Sequence, residues 1–159
     1  MKAAVLTVSD GVAGGERADE SGAILEELLT ADGYEVVRRV VADERTEIAE
    51  AIEELSDAVP LVLTTGGTGV APRDVTPEAT ASVVERQVPG ISEALRADSA
   101  ARTPHGLLSR GVAGIRGRAL VVNLPGSPGG CRDGFGVLRP ALTHALTLLA
   151  GEQGGHRQT

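Results

Sequence analysis

The stretch Leu63 to Thr80, LTTGGTGVAPRDVTPEAT, sets three glycines within four positions beside Arg73 and Asp74. Bare glycine backbone lets an anion approach N–H donors closely, and the hydroxyls of Thr65 and Thr68 add neutral donors. A carboxylate next to such a cradle repels phosphate unless it brings a cation, and carboxylates commonly hold magnesium beside phosphates. Asp74 is therefore a candidate metal ligand, with a local cap or an ion pair to Arg73 as its alternative role. Arg73 in turn lends positive charge to the site or merely pairs with Asp74. Asp43, in VADE, taken alone reads as a helix cap.

Neither standard nucleotide fingerprint is present. Val70 follows Gly69, so no Lys-Ser/Thr completes a P-loop, and Pro72 occupies the last position of a GxGxxG starting at Gly67. Two other strand ends are also rich in small and polar residues: Ser9-Asp10-Gly11, and Asn123 to Ser127 through Pro125 and Gly126. In open parallel sheets ligands bind beyond the carboxyl ends of the strands. Tight βα turns alone account for any one of these clusters as well as a ligand does, but account less well for all three in one small domain.

The elements that must position these residues alternate. Ala3 to Val8, Tyr34 to Val41 and Leu61 to Thr65 read as strands, the second polar enough for a sheet edge. Ile24, Leu25, Leu28 and Leu29 form one helical stripe with Gly33 as its stop; Ile48, Ile52 and Leu55 form another. Thr76-Pro77 predicts a helix start, Thr as N-cap and Pro at the first helical position. Val88-Pro89-Gly90 breaks that helix, Ile91 to Ser99 begins the next, and 100–109 reads as loop. Arg116-Gly117 predicts a hairpin turn feeding a buried strand from Ala119 to Leu124. Leu138, Leu142, Ala145, Leu146 and Leu149 recur at helical spacing, with Pro140 as a kink or restart. Alternating strands and helices predict a three-layer α/β/α sandwich, mainly parallel, with one antiparallel hairpin strand. One domain spans 1–150, and 151–159 is expected to fray as a tail.

Composition limits the partners. The 159 residues carry a net charge of −7 with no basic run, which argues against nucleic acid. No run approaches the ~18 apolar residues of a membrane span, and no signal-peptide pattern opens the chain; a cytoplasmic location is expected. A single cysteine, Cys131, permits no intrachain disulfide and reads as a small apolar filler. His105, His144 and His156 show no ligand spacing. Aromatics are 1% of the chain, so a ligand ring would be held by hydrogen bonds and aliphatic contacts rather than by stacking.

Four segments, TVSDGVAGGERADESG, LTTGGTGVAPRDVTPEAT, LLSRGVAGIRG and VVNLPGSPGG, together resemble the MogA/MoaB family of molybdenum-cofactor biosynthesis proteins, from about Ala3 to about Leu149. The resemblance implies adenylyl transfer from Mg-ATP to molybdopterin, with ATP and molybdopterin as substrates, Mg²⁺ as cofactor, a trimeric assembly and hand-over to a molybdenum-inserting enzyme. It places the two catalytic carboxylates on Asp43 and Asp74, both as magnesium ligands in our reading. Thr65, Gly66, Gly67, Thr68 and Gly69 match the phosphate cradle. Ser9, Asp10, Asn123, Pro125, Gly126 and Ser127 match the remaining ligand-binding turns. Arg73 belongs to the same motif, and Ser109-Arg110 lie in a matching segment. Ala42 stands where relatives often carry proline. Alternatives are a pterin-binding protein that does not transfer AMP, or a competence-damage-type nucleotide hydrolase; in the latter a paired Asp-Asp tends to replace Arg73-Asp74.

Overall fold

The computed structural model describes residues 1–152. In chain order its elements are β1 (Lys2–Val8), α1 (Asp10–Ala13), α2 (Glu20–Ala31), β2 (Glu35–Val41), α3 (Arg45–Ala58) and β3 (Leu61–Thr65). Then come α4 (Thr76–Val83), β4 (Arg86–Gln87), α5 (Pro89–Arg102), a 3-10 helix (Pro104–Leu108), β5 (Ala113–Arg116), β6 (Ala119–Leu124) and α6 (Pro128–Leu149). The six strands form one sheet in the order β2-β1-β3-β6-β5-β4. The first four in that order are parallel, while β5 pairs antiparallel with both β6 and β4.

The apolar runs of β1, β3 and β6 are continuous because both faces of the sheet are covered. Along β1, Ala3 and Val5 face a core built with Leu25 and Leu29 of α2 and Leu138, Leu142 and Leu146 of α6. Ala4, Leu6 and Val8 face the opposite core, with Ile48, Ile52 and Leu55 of α3 and Ala79 and Val83 of α4. Each fully buried leucine or isoleucine contributes about 1.5–3 kcal/mol. Phe135 is the lone aromatic in either buried core, which leaves close aliphatic interdigitation to hold the layers together.

Local signals act largely as expected. The Asp19 carboxylate caps α2 by accepting from Gly22 N–H at 3.0 Å. The same helix closes on Gly33, where Tyr34 N–H reaches Leu29 O and Gly33 N–H reaches Thr30 O, both at 3.0 Å. Four expectations change. Val75, not Thr76, is the N-cap of α4, so Pro77 falls one position later, and Thr76 sends its hydroxyl to Gly66 O at 2.9 Å. Residues 100–109 are not loop: α5 runs to Arg102, and Thr103 then accepts from His105 N–H to start the 3-10 turn. Pro140 does not interrupt α6; it sits on the exposed face, where water can serve the carbonyl its missing N–H releases. α4 stops at Val83 rather than at the Val88-Pro89-Gly90 break, and Arg86–Gln87 pair with β5 as β4, which leaves β5 as the one antiparallel strand, as expected. Of the expected tail, 153–159 lie outside the described residues.

Candidate functional site at the carboxyl rim of the sheet

Because β1, β3 and β6 are parallel neighbours, the bends after Val8, Thr65 and Leu124 leave the sheet at one rim. They are bonded into a unit. Thr65 Oγ1 donates to Pro125 O at 2.7 Å, and Gly66 N–H points to Leu124 O at 3.4 Å. Gly66 and Gly67 both hold left-handed φ, 98° and 69°. A Cβ on Gly66 would stand 2.2 Å from Val8 O; one on Gly67 would stand 2.3 Å from Thr76 Oγ1 and 3.1 Å from Asp43 Oδ1. Only glycine lets the loop pass this close to its neighbours. Among the described residues, the N–H groups of Gly67, Thr68 and Gly69 have no intramolecular acceptor. The N-terminus of α6, capped by Ser127 Oγ accepting from Gly130 N–H at 3.0 Å, adds its positive dipole end to the same rim.

Two cavities open here. One, of about 540 Å³, lies between Gly67–Gly69, Asp74, Ser109 and Pro125–Ser127 on one side and α5 with the 3-10 helix on the other. The second, of about 550 Å³, is lined by Ser9, Asp43, Thr65, Gly66 and the start of α2. Gly67, Asp74, Gly126 and Ser127 belong to both walls. The two cavities therefore adjoin across a ridge of glycine backbone, one carboxylate and one helix start.

Asp43 and Asp74 share the second cavity. Asp43 is half-buried, and burial pushes its carboxyl above the ordinary value, helped by the negative charges of Asp10 and Asp74. It is no helix cap: Glu44 holds that position, and Asp43 Oδ2 instead accepts from Asp10 N–H at 2.8 Å. Asp74 does not pair with Arg73. Its Oδ2 accepts from Ala71 N–H at 3.0 Å, while its own N–H returns to Ala71 O at 2.9 Å, which closes the 71–74 turn. No cluster of three or more His, Cys, Asp or Glu forms a closed metal cage among the described residues. Two carboxylates at a phosphate-receptive rim do fit magnesium, which is usually held by one or two carboxylates together with substrate phosphates. Burial is the main reason the Asp43 carboxyl is lifted, and the neighbouring negative charges that add to it are the kind such an ion relieves.

Three other expected ligand residues are engaged elsewhere. Asp10 receives Arg73 in a forked pair, Nε to Oδ2 at 2.6 Å, which holds its carboxyl below the ordinary value; Oδ1 also accepts from Asp43 N–H at 3.0 Å. Arg73 reaches Glu44 as well, at 2.9 Å, and neither Asp10 nor Arg73 lines either cavity. Asn123 is 4% exposed and its amide is saturated. It donates to Thr64 Oγ1 at 2.9 Å and Thr80 Oγ1 at 3.0 Å, and accepts from Val112 N–H at 3.1 Å, joining β3, α4 and the approach to β5. A buried amide is held by its own fold before it can serve a ligand. The Thr65 hydroxyl is likewise turned inward, with Cys131 Sγ at 3.3 Å; burial pushes that thiol up to about 11, consistent with an inert filler.

Sequence reasoning missed the far wall of the first cavity. Leu95, Ser99, Arg102, Thr103, His105 and Leu108 supply it from α5 and the 3-10 helix. The available signal was Thr103-Pro104, a cap followed by a first-turn proline, inside a segment read as loop.

An open α/β sheet whose strand ends turn free amides, a helix start and two carboxylates toward adjoining cavities is a domain suited to an anionic ligand. Its family is specific: the chain belongs to the family described as "Probable molybdopterin binding domain", whose model matches residues 4–144. It is 39% identical over 152 residues to the molybdopterin adenylyltransferase of Helicobacter pylori, covering 92% of this chain and 86% of that protein. It is 38% identical to the molybdenum cofactor synthesis protein cinnamon of Drosophila melanogaster over 98% of this chain, but spans only 26% of that longer protein. The crystal structure of the molybdopterin biosynthesis enzyme MoaB from Thermus thermophilus is 44% identical, with a TM-score of 0.88 over 94% of this chain and 96% of that one. The three-layer sandwich expected above is the fold this chain shares with that structure.

Proposed function

We propose that the chain is a molybdopterin adenylyltransferase, joining AMP from ATP to the terminal phosphate of molybdopterin and releasing pyrophosphate. The observation that carries this reading is the shared ridge: two cavities of similar volume meet along Gly67, Asp74, Gly126 and Ser127. Transfer between two substrates needs two adjoining berths and one set of groups that touches both. Kinship to a protein named for this reaction supports the same reading.

In the reaction an oxygen of the pterin phosphate bonds to the α-phosphorus of ATP. The bond from that phosphorus to the α,β-bridging oxygen breaks, and its electron pair leaves with pyrophosphate. A phosphate monoester has a second pKa near ~6, so the attacking oxygen is already anionic at neutral pH and no strong general base is needed. The obstacle is repulsion: two unit charges 4 Å apart cost about 4 kcal/mol at an effective dielectric of 20. Fixed donors offset a cost of that size, since removing one from an anion-stabilising site costs ~10²–10³-fold in rate. The loop amides of Gly67 to Gly69 and the α6 start are placed for this role, with Ser9, Thr68, Pro125 and Ser127 shaping the berths. Asp43 and Asp74 would hold magnesium, which would supply positive charge to screen the phosphates. Neither cavity is lined by Phe, Tyr or Trp, so the pterin is gripped by hydrogen bonds and by aliphatic groups such as Leu95 and Leu108.

No helix among the described residues is long and apolar enough to cross a membrane. The reading takes the chain to be a cytoplasmic homotrimer that passes its product to a molybdenum-inserting enzyme; light scattering should give three times the 16.2 kDa chain mass. The direct test mixes purified chain with molybdopterin and Mg-ATP. Adenylylated pterin and pyrophosphate should accumulate in equal amounts. Pterin retention without either product would reduce the protein to a carrier, and pterin-independent cleavage of a dinucleotide would place it among hydrolases.

A further inference from the structure

We propose that Arg110 is the positioning residue of this site, aiming the glycine-loop amides and the Asp74 segment from behind. Its kinetic consequence rests on the adenylyl-transfer reading; its structural consequence does not. Arg110 lies in the link between the 3-10 helix and β5 and lines neither cavity. Its backbone N–H donates to Thr68 O at 2.8 Å, its Nε to Gly69 O at 2.7 Å and its Nη2 to Asp74 O at 2.7 Å. Nη1 meets Glu78 in the first turn of α4. One residue thus grips the loop at both ends and anchors it to a helix.

The direction of that grip matters. In a trans peptide the C=O and the following N–H point opposite ways. Drawing the carbonyls of Thr68, Gly69 and Asp74 toward Arg110 turns the N–H groups of Gly69, Val70 and Val75 away from it. Among the described residues those three N–H groups have no intramolecular acceptor. Apart from the bonds that close the 71–74 turn and the one from Thr76 N–H to Gly67 O, Arg110 makes the contacts that hold the loop to the rest of the fold, and its tip is open, with Val70 65% exposed. Each guanidinium nitrogen is already engaged, so Arg110 acts through the backbone it holds and not by touching substrate. Lysine cannot replace it, because a point ammonium lacks the rigid fork that spans three separate acceptors.

The test compares Arg110→Ala and Arg110→Lys with the parent chain by steady-state kinetics and by hydrogen–deuterium exchange without ligands. Both variants should lose about 10²-fold in kcat, the scale of a 1 Å misplacement, with KM for Mg-ATP little changed. Millimolar guanidinium should restore part of the Arg110→Ala rate. Exchange should accelerate about tenfold at the bonded amides of the 66–76 segment, those of Ala71, Asp74 and Thr76, with β1, β3 and β6 unaffected. Unchanged exchange in that segment, or a lysine variant with normal kcat, overturns the proposal. If Arg110→Ala fails to fold, Arg110→Lys decides by the same two measurements. Should the parent chain itself form no adenylylated pterin, the functional reading fails while the exchange comparison still settles the role of Arg110.

Discussion

The two rims of this sheet use the same residue for different reasons. At the rim where β6 begins, Gly117 turns the β5–β6 hairpin with φ 57°, and a Cβ there would meet nothing within 4 Å. At the opposite rim Gly67 has a similar φ of 69°, but a Cβ would press to 2.3 Å from the Thr76 hydroxyl. The first glycine answers a conformational demand alone. The second also answers a demand for space, because loop, helix start and carboxylate converge on one spot. Charge follows the same division. At the amino rim Asp32 is met by Arg139 at 2.5 Å, whereas Asp43 at the carboxyl rim has backbone N–H and other carboxylates beside it and feels Arg73 only past that guanidinium's direct pairs with Asp10 and Glu44. Close packing and unneutralised acid coincide where ligands are expected, and the plain turn is left free of both.

Substitutions that treat the rims alike should expose the difference. Gly67→Ala should be the most damaging, since left-handed strain of ~1–2 kcal/mol adds to overpacking of ~1–3 kcal/mol. A loss of about 3 kcal/mol corresponds to ~6–12 °C in melting temperature for a chain of this size, and transfer activity should vanish with the loop geometry. Asp74→Asn should come next, at ~10²-fold or more in kcat, equivalent to about 2.7 kcal/mol in the barrier. An asparagine oxygen can still accept from Ala71 N–H, so its melting temperature should stay close to the parent's; near-normal turnover would remove Asp74 from the mechanism. Gly117→Ala should cost only the ~1–2 kcal/mol of left-handed strain and leave turnover intact. Equal damage from Gly117→Ala and Gly67→Ala in calorimetry would show that crowding at the ligand rim is not what distinguishes them.

What could be read without coordinates divides along the same line. Strand runs such as ALVVNL and helical stripes such as Ile48-Ile52-Leu55 are periodic, and periodicity survives in one dimension. The convergence of Ser9, Gly66 and Pro125 followed from parallel topology alone. The partners of individual side chains were not legible, because they depend on which loops a fold brings together. Arg73 looks toward its neighbour Asp74 in sequence, yet its guanidinium spans to Asp10, 63 positions away, and to Glu44. Asn123 looks like part of a polar turn, yet it is the last residue but one of β6 and its amide stitches three elements together. Thr76 looks like a cap, and its hydroxyl is captured by the Gly66 carbonyl before it can act as one. Short polar residues near glycines have many possible acceptors, and only packing selects among them.

The smallest effect is also the sharpest on charge, because Asp10 and Asp43 hold each other through reciprocal backbone bonds yet shift in opposite directions. Asp10, lowered from 3.8 by Arg73, contributes stability that is present above 3.8 and lost as pH falls through its depressed folded value. Asp43, raised from 3.8 chiefly by burial, behaves inversely: its contribution is complete below 3.8 and lost as pH rises through its elevated folded value. At neutral pH the ionised Asp43 is therefore a destabilising group retained at the ligand rim. Asp43→Asn should keep the bond from Asp10 N–H and raise stability at pH 7 by less than about 1 kcal/mol, given solvent screening, while lowering turnover. That gain should disappear on acidification toward 3.8. At the amino rim Asp32→Asn removes the partner of Arg139 and should bring no gain at any pH. A stabilisation by Asp32→Asn equal to that from Asp43→Asn, measured by denaturant titration at both pH values, would mean that the two rims do not differ in the cost of the carboxylates they hold.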